Sequence, residues 1–587
     1  MRKFIVAFLM SVTVGSAVLS QNPAREPGGF YRFLSDEPGH HPFVSDREGV
    51  RGRNGMVASA HPLASEVGAE ILKKGGNAID AAIAVHFALA VVHPSAGNIA
   101  GGGFLVFRSA SGESFALDFR EKAPRAASRD MYLDKTGNVV EGLSTLGHLA
   151  SGVPGSVDGM AAAHGRFGRL PWRELLDPAI RLAANGVPQT EKEARGLNAF
   201  RPTLEAVDPA NPYYVKPGGT DWKAGDTLIQ KDLARVLSQI RKKGRNGFYR
   251  GRTARLLVRE MRRGKGLITR KDLAEYRSVW RDPIVEGYKG YRVITMSPPS
   301  SGGVALVQLL RLVAPYPLKE WGWNTDSTVQ VMIEAERRVY ADRARYMGDP
   351  DFIKIPVKQM VDEAYLRRRW ADFDFSRATE SNRVSGGSIP GFESMETTHF
   401  SIVDGAGNAV AVTTTLNGSY GSGVVVRGGG FLLNNEMDDF SVKPGVPNMF
   451  GLVGNKANAI APGKRMLSSM TPTIIEKEGR LLMVAGTPGG STIITSVFQT
   501  ILNVLEHGMT MQQAVNALKF HHQWLPDKTV FESGAFTPRT IEMLTSRNYV
   551  LEPQFNTIGR MDCILVHPDG TLEGGSDPRG DDTSVGY

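Results

Sequence analysis

A threonine pair at the start of an alternating sequence pattern is the feature of this chain best able to do chemistry. Thr397 and Thr398 follow Glu396 and open the run 397–404, which has a strand-like alternation. A threonine hydroxyl keeps its proton at neutral pH, so it needs a base beside it to act as a nucleophile. Cleavage of the peptide bond before Thr397 would supply one, because a free α-amine has a pKa of roughly 8. The alternative is a structural pair, since β-branched residues suit strands.

Composition places the chain among ordinary globular proteins. Of its 587 residues, 41% are hydrophobic and 22% are charged, which allows a large core. The net charge is +9, but the basic residues are dispersed, with modest clusters at 241–243 and 367–369. Because no basic stripe interleaved with aromatic residues is present, we expect no nucleic-acid partner.

The N-terminus predicts export. Met1, Arg2 and Lys3 precede an apolar run over 4–18, and small residues follow, which is typical of a secretory signal peptide over residues 1–20. The run is shorter than the roughly 20 residues of a membrane span, so we expect no stable span and a periplasmic or secreted protein. A Pro/Gly-rich leader follows over 21–54, and we expect it to be flexible. The one cysteine, Cys563, excludes an intrachain disulfide.

The coarse order of elements runs from helices to strands. A helix over 61–74 and a second over 78–92, capped by Asn77, are predicted near the start, and the second is apolar enough to be a buried layer. The middle third reads as mostly helical. Beyond Thr397 the pattern predicts five strands, a helix and a further strand, in chain order at 399–403, 409–416, 431–434, 472–476, 481–485, 491–506 and 561–566. This order favours stacked sheets covered by helical layers.

Five motifs in a fixed order carry a resemblance to one protein family. They are GGNAIDAA at 75–82, LDFRE at 117–121, NNEMDDF at 434–440, LSSM at 467–470 and TPGGS at 487–491. Together they make the chain, from about residue 54 to its end, similar to the γ-glutamyltranspeptidases, members of the N-terminal nucleophile hydrolases.

The resemblance implies a fold and a maturation step. The expected fold is α+β, a four-layer αββα sandwich built from two subunits of one cleaved precursor. Cleavage would fall between Glu396 and Thr397, giving a large subunit over 55–396 and a small subunit over 397–587. The small subunit would hold 587 − 396 = 191 residues. The two subunits would stay together as a heterodimer.

The resemblance also implies the catalytic roles. Thr397 would attack first the Glu396 carbonyl and later the γ-carbonyl of a glutamyl substrate, forming an ester that passes to water or to an amine acceptor. Thr415 matches the threonine that orients the Thr397 amine. Gly489 and Gly490, which precede a helix, would donate N–H groups to the oxyanion.

Six further residues would bind the substrate. A γ-glutamyl group carries a free α-carboxylate, which Arg120 can bind in a bidentate manner with help from Ser468 and Ser469. Its α-ammonium would be received by three acceptors, namely Asn417, Glu436 and Asp439. The loop 443–463 resembles the family's lid, with Phe450 where some members have Tyr.

Several other readings of the chemistry are less well supported. His399 lies close to Thr397, but the α-amine already fills the role of base, so we interpret His399 as structural. No metal-ligand spacing, Gly-x-Ser-x-Gly elbow or dinucleotide fingerprint occurs, and we expect no metal or cofactor.

Three functions stay open at this point. The first is a γ-glutamyl transferase and hydrolase acting on glutathione and similar compounds. The second is an acylase that removes glutaryl side chains from β-lactam precursors; glutaryl has no α-ammonium to offset Asp439 and Glu436, which argues for the first. The third is an unprocessed export protein that binds γ-glutamyl compounds without turnover.

Overall fold

The structure is a computed structural model. It describes residues 31–33, 43–45, 48–210, 213–384, 397–554 and 557–587. The predicted signal peptide, most of the predicted leader and Glu396 lie outside these ranges.

Two seven-stranded sheets form the centre of the described chain. We number strands and helices in chain order. Sheet I contains, from edge to edge, β21 (Thr583–Gly586), β4 (Gly55–Ser59), β12 (Thr398–Asp404), β13 (Ala409–Thr415), β5 (Gly102–Arg108), β6 (Ser114–Asp118) and β9 (Val279–Arg281). Sheet II contains β10 (Ile284–Tyr288), β11 (Tyr291–Thr295), β14 (Thr473–Lys477), β15 (Arg480–Ala485), β19 (Asp562–Val566), β20 (Leu572–Ser576) and β3 (Val50–Gly52). Every strand pair in both sheets is antiparallel.

Smaller strand groups lie outside the two sheets. They are the pair β1 (Tyr31–Phe33) and β2 (Phe43–Ser45), the pair β7 (Val187–Pro188) and β8 (Thr227–Leu228), and the trio β16 (Phe520–His522), β17 (Thr529–Glu532) and β18 (Leu551–Gln554).

Helices cover both sheets. Those that precede β10 in the chain are α1 (Pro62–Lys73), α2 (Ala78–Val92), α3 (Ser156–Phe167), α4 (Trp172–Asn185), α5 (Glu191–Val207), α6 (Lys231–Lys243), α7 (Asn246–Tyr249), α8 (Gly251–Arg263) and α9 (Arg270–Glu275). The others are α10 (Gly302–Val313), α11 (Leu318–Trp321), α12 (Asp326–Tyr346), α13 (Val357–Met360), α14 (Glu363–Trp370), α15 (Ile493–Leu505), α16 (Met511–Asn516) and α17 (Pro538–Ser546). None of the helices in the described ranges is long and apolar enough to cross a membrane.

Strand alternation divides the core into layers. Phe400 and Ile402 of β12 pack with α1 and α2 on one face of sheet I. Val403 of the same strand belongs to the second core, which fills the space between the sheets and beneath α10, α12 and α15. Because successive side chains of a strand point to opposite faces, Thr397 shares the inter-sheet face with Val403. The αββα layering implied by the sequence is confirmed.

Helix α2 shows why the layer on sheet I is stable. All 15 of its residues are buried, and its start is a capping box in which the Asn77 side chain accepts from the Asp80 amide while Asp80 accepts from the Asn77 amide. Asp80 also accepts from the amides of Arg169 and Leu170, so its buried charge is hydrogen-bonded. The predicted bounds and the buried position of this helix are confirmed.

Two sequence expectations differ from the structure. The strand predicted over 431–434 is wrong, because residues 431–433 form only a short irregular ladder. In it Ser422 donates to Leu433, Leu433 donates to Val424 and Val426 donates to Phe431. The sequence predicts a flexible leader over 21–54, yet Val50–Gly52 pairs with Leu572–Gly574 as the edge of sheet II. The ordered fold therefore begins before residue 55.

Candidate active site

The structure brings Thr397 and Thr415 to one pocket. Thr397 immediately precedes β12 and is only 3% exposed. Thr398 pairs with Thr414, so one further antiparallel step places Thr397 opposite Thr415 at the end of β13. Both side chains line one narrow pocket.

Most of the predicted site residues line the same pocket. Its lining residues are Arg343, Thr397, Thr415, Asn417, Glu436, Asp439, Phe450, Leu452, Ser468, Ser469, Met470, Gly490 and Ile493. Two predicted residues lie just behind this lining: Arg120, through its contacts with Glu436 and Asp439, and Gly489, as the chain neighbour of Gly490.

Arg120 pairs with Glu436 and Asp439, the acids that are predicted to bind the α-ammonium of the substrate. It follows β6 and is fully buried, and its guanidinium donates to Glu436 and to Asp439. It also donates to the Leu467 carbonyl at 3.1 Å, and a Glu121 oxygen lies 3.7 Å from its Nη1. The sequence predicts that these groups bind opposite charges of one substrate head group; the structure shows them as one buried cluster.

Burial shifts the pKa values of this cluster. Burial raises the pKa of Asp439 to about 6 and that of Glu121 to about 7, while the charge of Arg120 opposes both shifts. Burial also raises the pKa of Glu436 well above its usual range. For Arg120, burial alone would lower the pKa, but the charges of Glu436, Asp439 and Glu121 raise it overall. The guanidinium is therefore charged, and its acids hold protons more readily than exposed ones.

Two glycines shape the turn that faces the nucleophile. Gly489 has φ 139° and Gly490 has φ 53°, values that side-chain-bearing residues rarely adopt. The turn continues into a short 3₁₀ segment, Gly490–Thr492, and then into α15. A Cβ on Gly490 would lie 2.6 Å from the Phe450 ring. This geometry brings backbone at a helix N-terminus to the pocket wall, as an oxyanion site requires.

The loop over 443–463 closes on the pocket through its tip. Asn448 donates to Asp439 at 3.0 Å and accepts from the amides of Phe450 and Leu452. Phe450 is buried against Gly490. Asn417, held at φ 80° directly after β13, donates from its side chain to the Asn435 carbonyl at 3.1 Å.

His399 is buried and neutral. Its ring nitrogens contact Thr413 Oγ1 at 2.9 Å and Ser401 Oγ at 3.1 Å, and burial lowers its pKa to about 3. A Cβ on Gly486 would lie 2.2 Å from this ring, so the imidazole occupies the space that a side chain there would need. These contacts are those of a packed, structural histidine, as the sequence predicted.

Arg343 is the pocket residue that sequence reasoning missed. It lies near the end of α12, in the middle third of the chain, where the sequence predicts helices but no site residue. In the structure Glu334, Glu336, Arg337, Arg338 and Arg343 are all buried. Only the packing of α12 beside α10 and under the 468–470 segment brings Arg343 to the pocket, and no local sequence signal records that contact.

Comparison with known proteins agrees with this architecture. A sequence model of the family described as Gamma-glutamyltranspeptidase matches residues 64–587. The chain is 43% identical to a glutathione hydrolase proenzyme of Escherichia coli (strain K12), over 100% of this chain and 99% of that protein. It is 47% identical to a glutathione hydrolase proenzyme of Pseudomonas aeruginosa, over 90% of this chain and 93% of that protein. The chain belongs to the gamma-glutamyltranspeptidase family.

A solved structure supports the fold of this gamma-glutamyltranspeptidase family member. The crystal structure of a cephalosporin acylase from Bacillus halodurans superposes with a TM-score of 0.83 at 27% identity, covering 94% of this chain and 99% of that one. The chain is therefore an enzyme of the N-terminal nucleophile hydrolase type. Among the described residues, no cluster of three or more His, Cys, Asp or Glu side chains is arranged to hold a metal ion.

Proposed function

We propose that this protein is a γ-glutamyl transferase and hydrolase. It cleaves the γ-glutamyl amide bond of glutathione and similar compounds, and it passes the acyl group to water or to an amino acid or peptide amine. The observation that carries this proposal is the pocket itself, which gathers a threonine nucleophile with both acidic and basic side chains. A free amino acid head group carries one charge of each sign and needs both.

Maturation creates the catalytic base. The Thr397 hydroxyl attacks the Glu396 carbonyl, the peptide C–N bond breaks, and the chain becomes an ester. Breaking the C–N bond frees the Thr397 α-amine, and water then hydrolyses the ester, which releases the Glu396 carboxylate and restores the Thr397 hydroxyl. The result is a large and a small subunit that remain a heterodimer, after export directed by residues 1–20.

Turnover uses the amine that maturation exposed. The α-amine of Thr397, with a pKa of roughly 8, accepts the hydroxyl proton as the oxygen attacks the γ-carbonyl. Thr415 orients this amine, and the N–H groups of Gly489 and Gly490 stabilise the oxyanion. The leaving amine takes the proton, and the γ-glutamyl-Thr397 ester then transfers to water or an acceptor amine.

The head group is held by the charged cluster. Asp439, Glu436 and Asn417 receive the α-ammonium, while Arg120, Ser468 and Ser469 receive the α-carboxylate. Ser468 is well placed for this because its backbone is fixed: its carbonyl accepts from the amide and the hydroxyl of Ser301. A pocket whose groups are already ordered loses less conformational entropy when it binds a substrate.

Charge balance argues against the acylase alternative. Two guanidiniums, Arg120 and Arg343, and two carboxylates, Glu436 and Asp439, form the charged part of the site, and Glu121 has a pKa near neutral. A zwitterionic γ-glutamyl head group leaves this balance unchanged. A glutaryl group has the carboxylate but no ammonium, so it would leave Glu436 and Asp439 without an ammonium to offset them in a buried site, which is costly.

The test compares two anilides on purified protein. The wild type should cleave a γ-glutamyl anilide with a kcat/KM at least about tenfold above that for the glutaryl anilide, and T397A should cleave neither. T398V is the matched control, because the Thr398 hydroxyl is buried without a hydrogen-bond partner in the described chain. It should keep activity. A preference for the glutaryl anilide would establish the acylase reading, and an inert wild type that still binds L-glutamate would establish the binding-protein reading.

A further inference from the structure

Arg343 is a buried cation at the pocket with no carboxylate partner. Its side chain is 6% exposed, and its two hydrogen bonds go to neutral hydroxyls: Nε donates to Ser301 Oγ at 2.8 Å, and Nη2 donates to Ser469 Oγ at 3.1 Å. Within residues 48–210, 213–384, 397–554 and 557–587, no Asp or Glu oxygen lies within ion-pair distance of it. A buried charge of this kind is costly until an anion pairs with it.

Arg120 is in the opposite situation. Its guanidinium already donates to two carboxylates, Glu436 and Asp439, and to the carbonyls of Met466 and Leu467. A ligand carboxylate must displace some of these bonds before Arg120 can bind it in a bidentate manner. An incoming carboxylate therefore finds Arg343 as the cation whose charge is still unpaired.

The bond from Arg343 to Ser469 also prepares the serine for a carboxylate. Because Nη2 donates to Ser469 Oγ, a lone pair of that oxygen is occupied and its own O–H is left to donate. A carboxylate at this wall can accept from the Ser469 hydroxyl and from Arg343 together. Burial lowers the pKa of Arg343, but a guanidinium stays charged at physiological pH.

We propose that Arg343 is a substrate-binding residue for the α-carboxylate of the γ-glutamyl group, acting together with Ser469. The inference rests on the proposed function, because it assumes a γ-glutamyl substrate. It assigns the carboxylate two cations of different kinds: Arg120, which is ion-paired with Glu436 and Asp439, and Arg343, which forms no ion pair with a described Asp or Glu.

The test compares substrates with and without the α-carboxylate. A γ-glutamyl anilide carries it; a 4-aminobutyryl anilide keeps the ammonium and has hydrogen in its place. R343M should lower kcat/KM for the γ-glutamyl anilide at least about tenfold, mainly through KM, as expected for losing one member of a buried charge pair. For the 4-aminobutyryl anilide, kcat/KM should change less than about twofold. R345M is the matched control, because Arg345 is exposed on the same helix, and it should behave as wild type.

Three outcomes would overturn the inference. Equal losses on both substrates would show that Arg343 only supports the fold of the 468–470 segment, and no loss on either would remove it from the site. If R343M fails to mature, R343K is the second variant, because it keeps the charge without the planar guanidinium. In R343K the inhibition constant of L-glutamate should rise relative to that of 4-aminobutyrate. An unchanged ratio of the two constants contradicts the proposal. A wild type inert toward the γ-glutamyl anilide would instead overturn the proposed function.

Discussion

At the scale of residues, the site depends on contacts between groups that are distant in the sequence. Arg120 meets Glu436 and Asp439 across more than 300 positions of the chain. Their identities could be predicted from the motifs, because a charged head group needs partners of both signs. Their mutual pairing could not be predicted, since the motifs indicate only which charge of the substrate head group each residue would bind. Arg343 was missed for the same reason: its contact with Ser469 exists only after packing.

Asp439 offers a test of the specificity argument. D439N removes the negative charge that receives the substrate ammonium, so γ-glutamyl anilide binding should weaken by about 2–4 kcal/mol. Binding of the glutaryl anilide should not weaken, because that substrate has no ammonium. KM measured for both anilides on the same preparation checks this, and the glutaryl anilide is the control for damage to the fold. Equal losses would contradict the assignment of Asp439 to the ammonium.

The pH dependence of KM should report the same carboxyl. Burial raises the pKa of Asp439 to about 6, so it is ionised above pH 6 and becomes protonated as the pH falls through that value. The KM for a γ-glutamyl anilide should therefore rise as the pH drops below about 6. The transition belongs to the neighbouring buried acids Glu121 and Glu436 as well, because coupled groups titrate together. In D439N the rise should shrink; a KM profile identical to that of wild type would exclude Asp439.

At the scale of elements, the glycine turn and the lid tip meet at one contact. Gly490 presents its backbone to the pocket while the Phe450 ring lies against its α-carbon, and Asn448 holds the tip of the loop to Asp439. The sequence indicated the turn, because a Gly-Gly pair before a helix is typical of an anion site. It could not indicate which side chain covers the turn, since loop conformation depends on contacts 40 residues away.

A substitution in the turn separates catalysis from binding. G490A adds a Cβ that would lie 2.6 Å from the Phe450 ring at a φ of 53°, so the backbone must shift away from the oxyanion. We expect kcat to fall by about 10²-fold or more, the range for losing one oxyanion donor. G479A is the matched control, because Gly479 also has positive φ but its Cβ would meet open space. An unaltered kcat in G490A would remove this turn from catalysis.

At the scale of the whole molecule, the predicted cleavage point divides both sheets between two chains. Sheet I takes β21, β12 and β13 from the segment after residue 396, and β4, β5, β6 and β9 from the segment before it. Sheet II takes β14, β15, β19 and β20 from the later segment, and β3, β10 and β11 from the earlier one. Strand-to-strand hydrogen bonds and a shared core therefore hold the subunits without a covalent link.

The layered architecture could be predicted, but the order of its strands could not. Hydrophobic patterns located the buried helix α2 and five of the ten strands that the structure describes beyond residue 397, namely β12, β13, β14, β15 and β19. Neighbouring strands such as β12 and β4 come from segments about 340 residues apart, and local pattern carries no information about such pairing. The short strand predicted over 431–434 is wrong because the geometry of the turn, and not the β-propensity of the residues, sets the backbone conformation there.

The mass of the shorter chain tests the central claim most directly. Denaturing mass spectrometry of the purified protein should give two chains, the shorter spanning residues 397–587 with Thr397 as its first residue, and native mass spectrometry should give one complex of both. Quenching during turnover of a γ-glutamyl anilide should add one glutamyl group to the shorter chain at Thr397. One uncut chain, a shorter chain that begins at another residue, or a glutamyl group attached elsewhere would contradict the account.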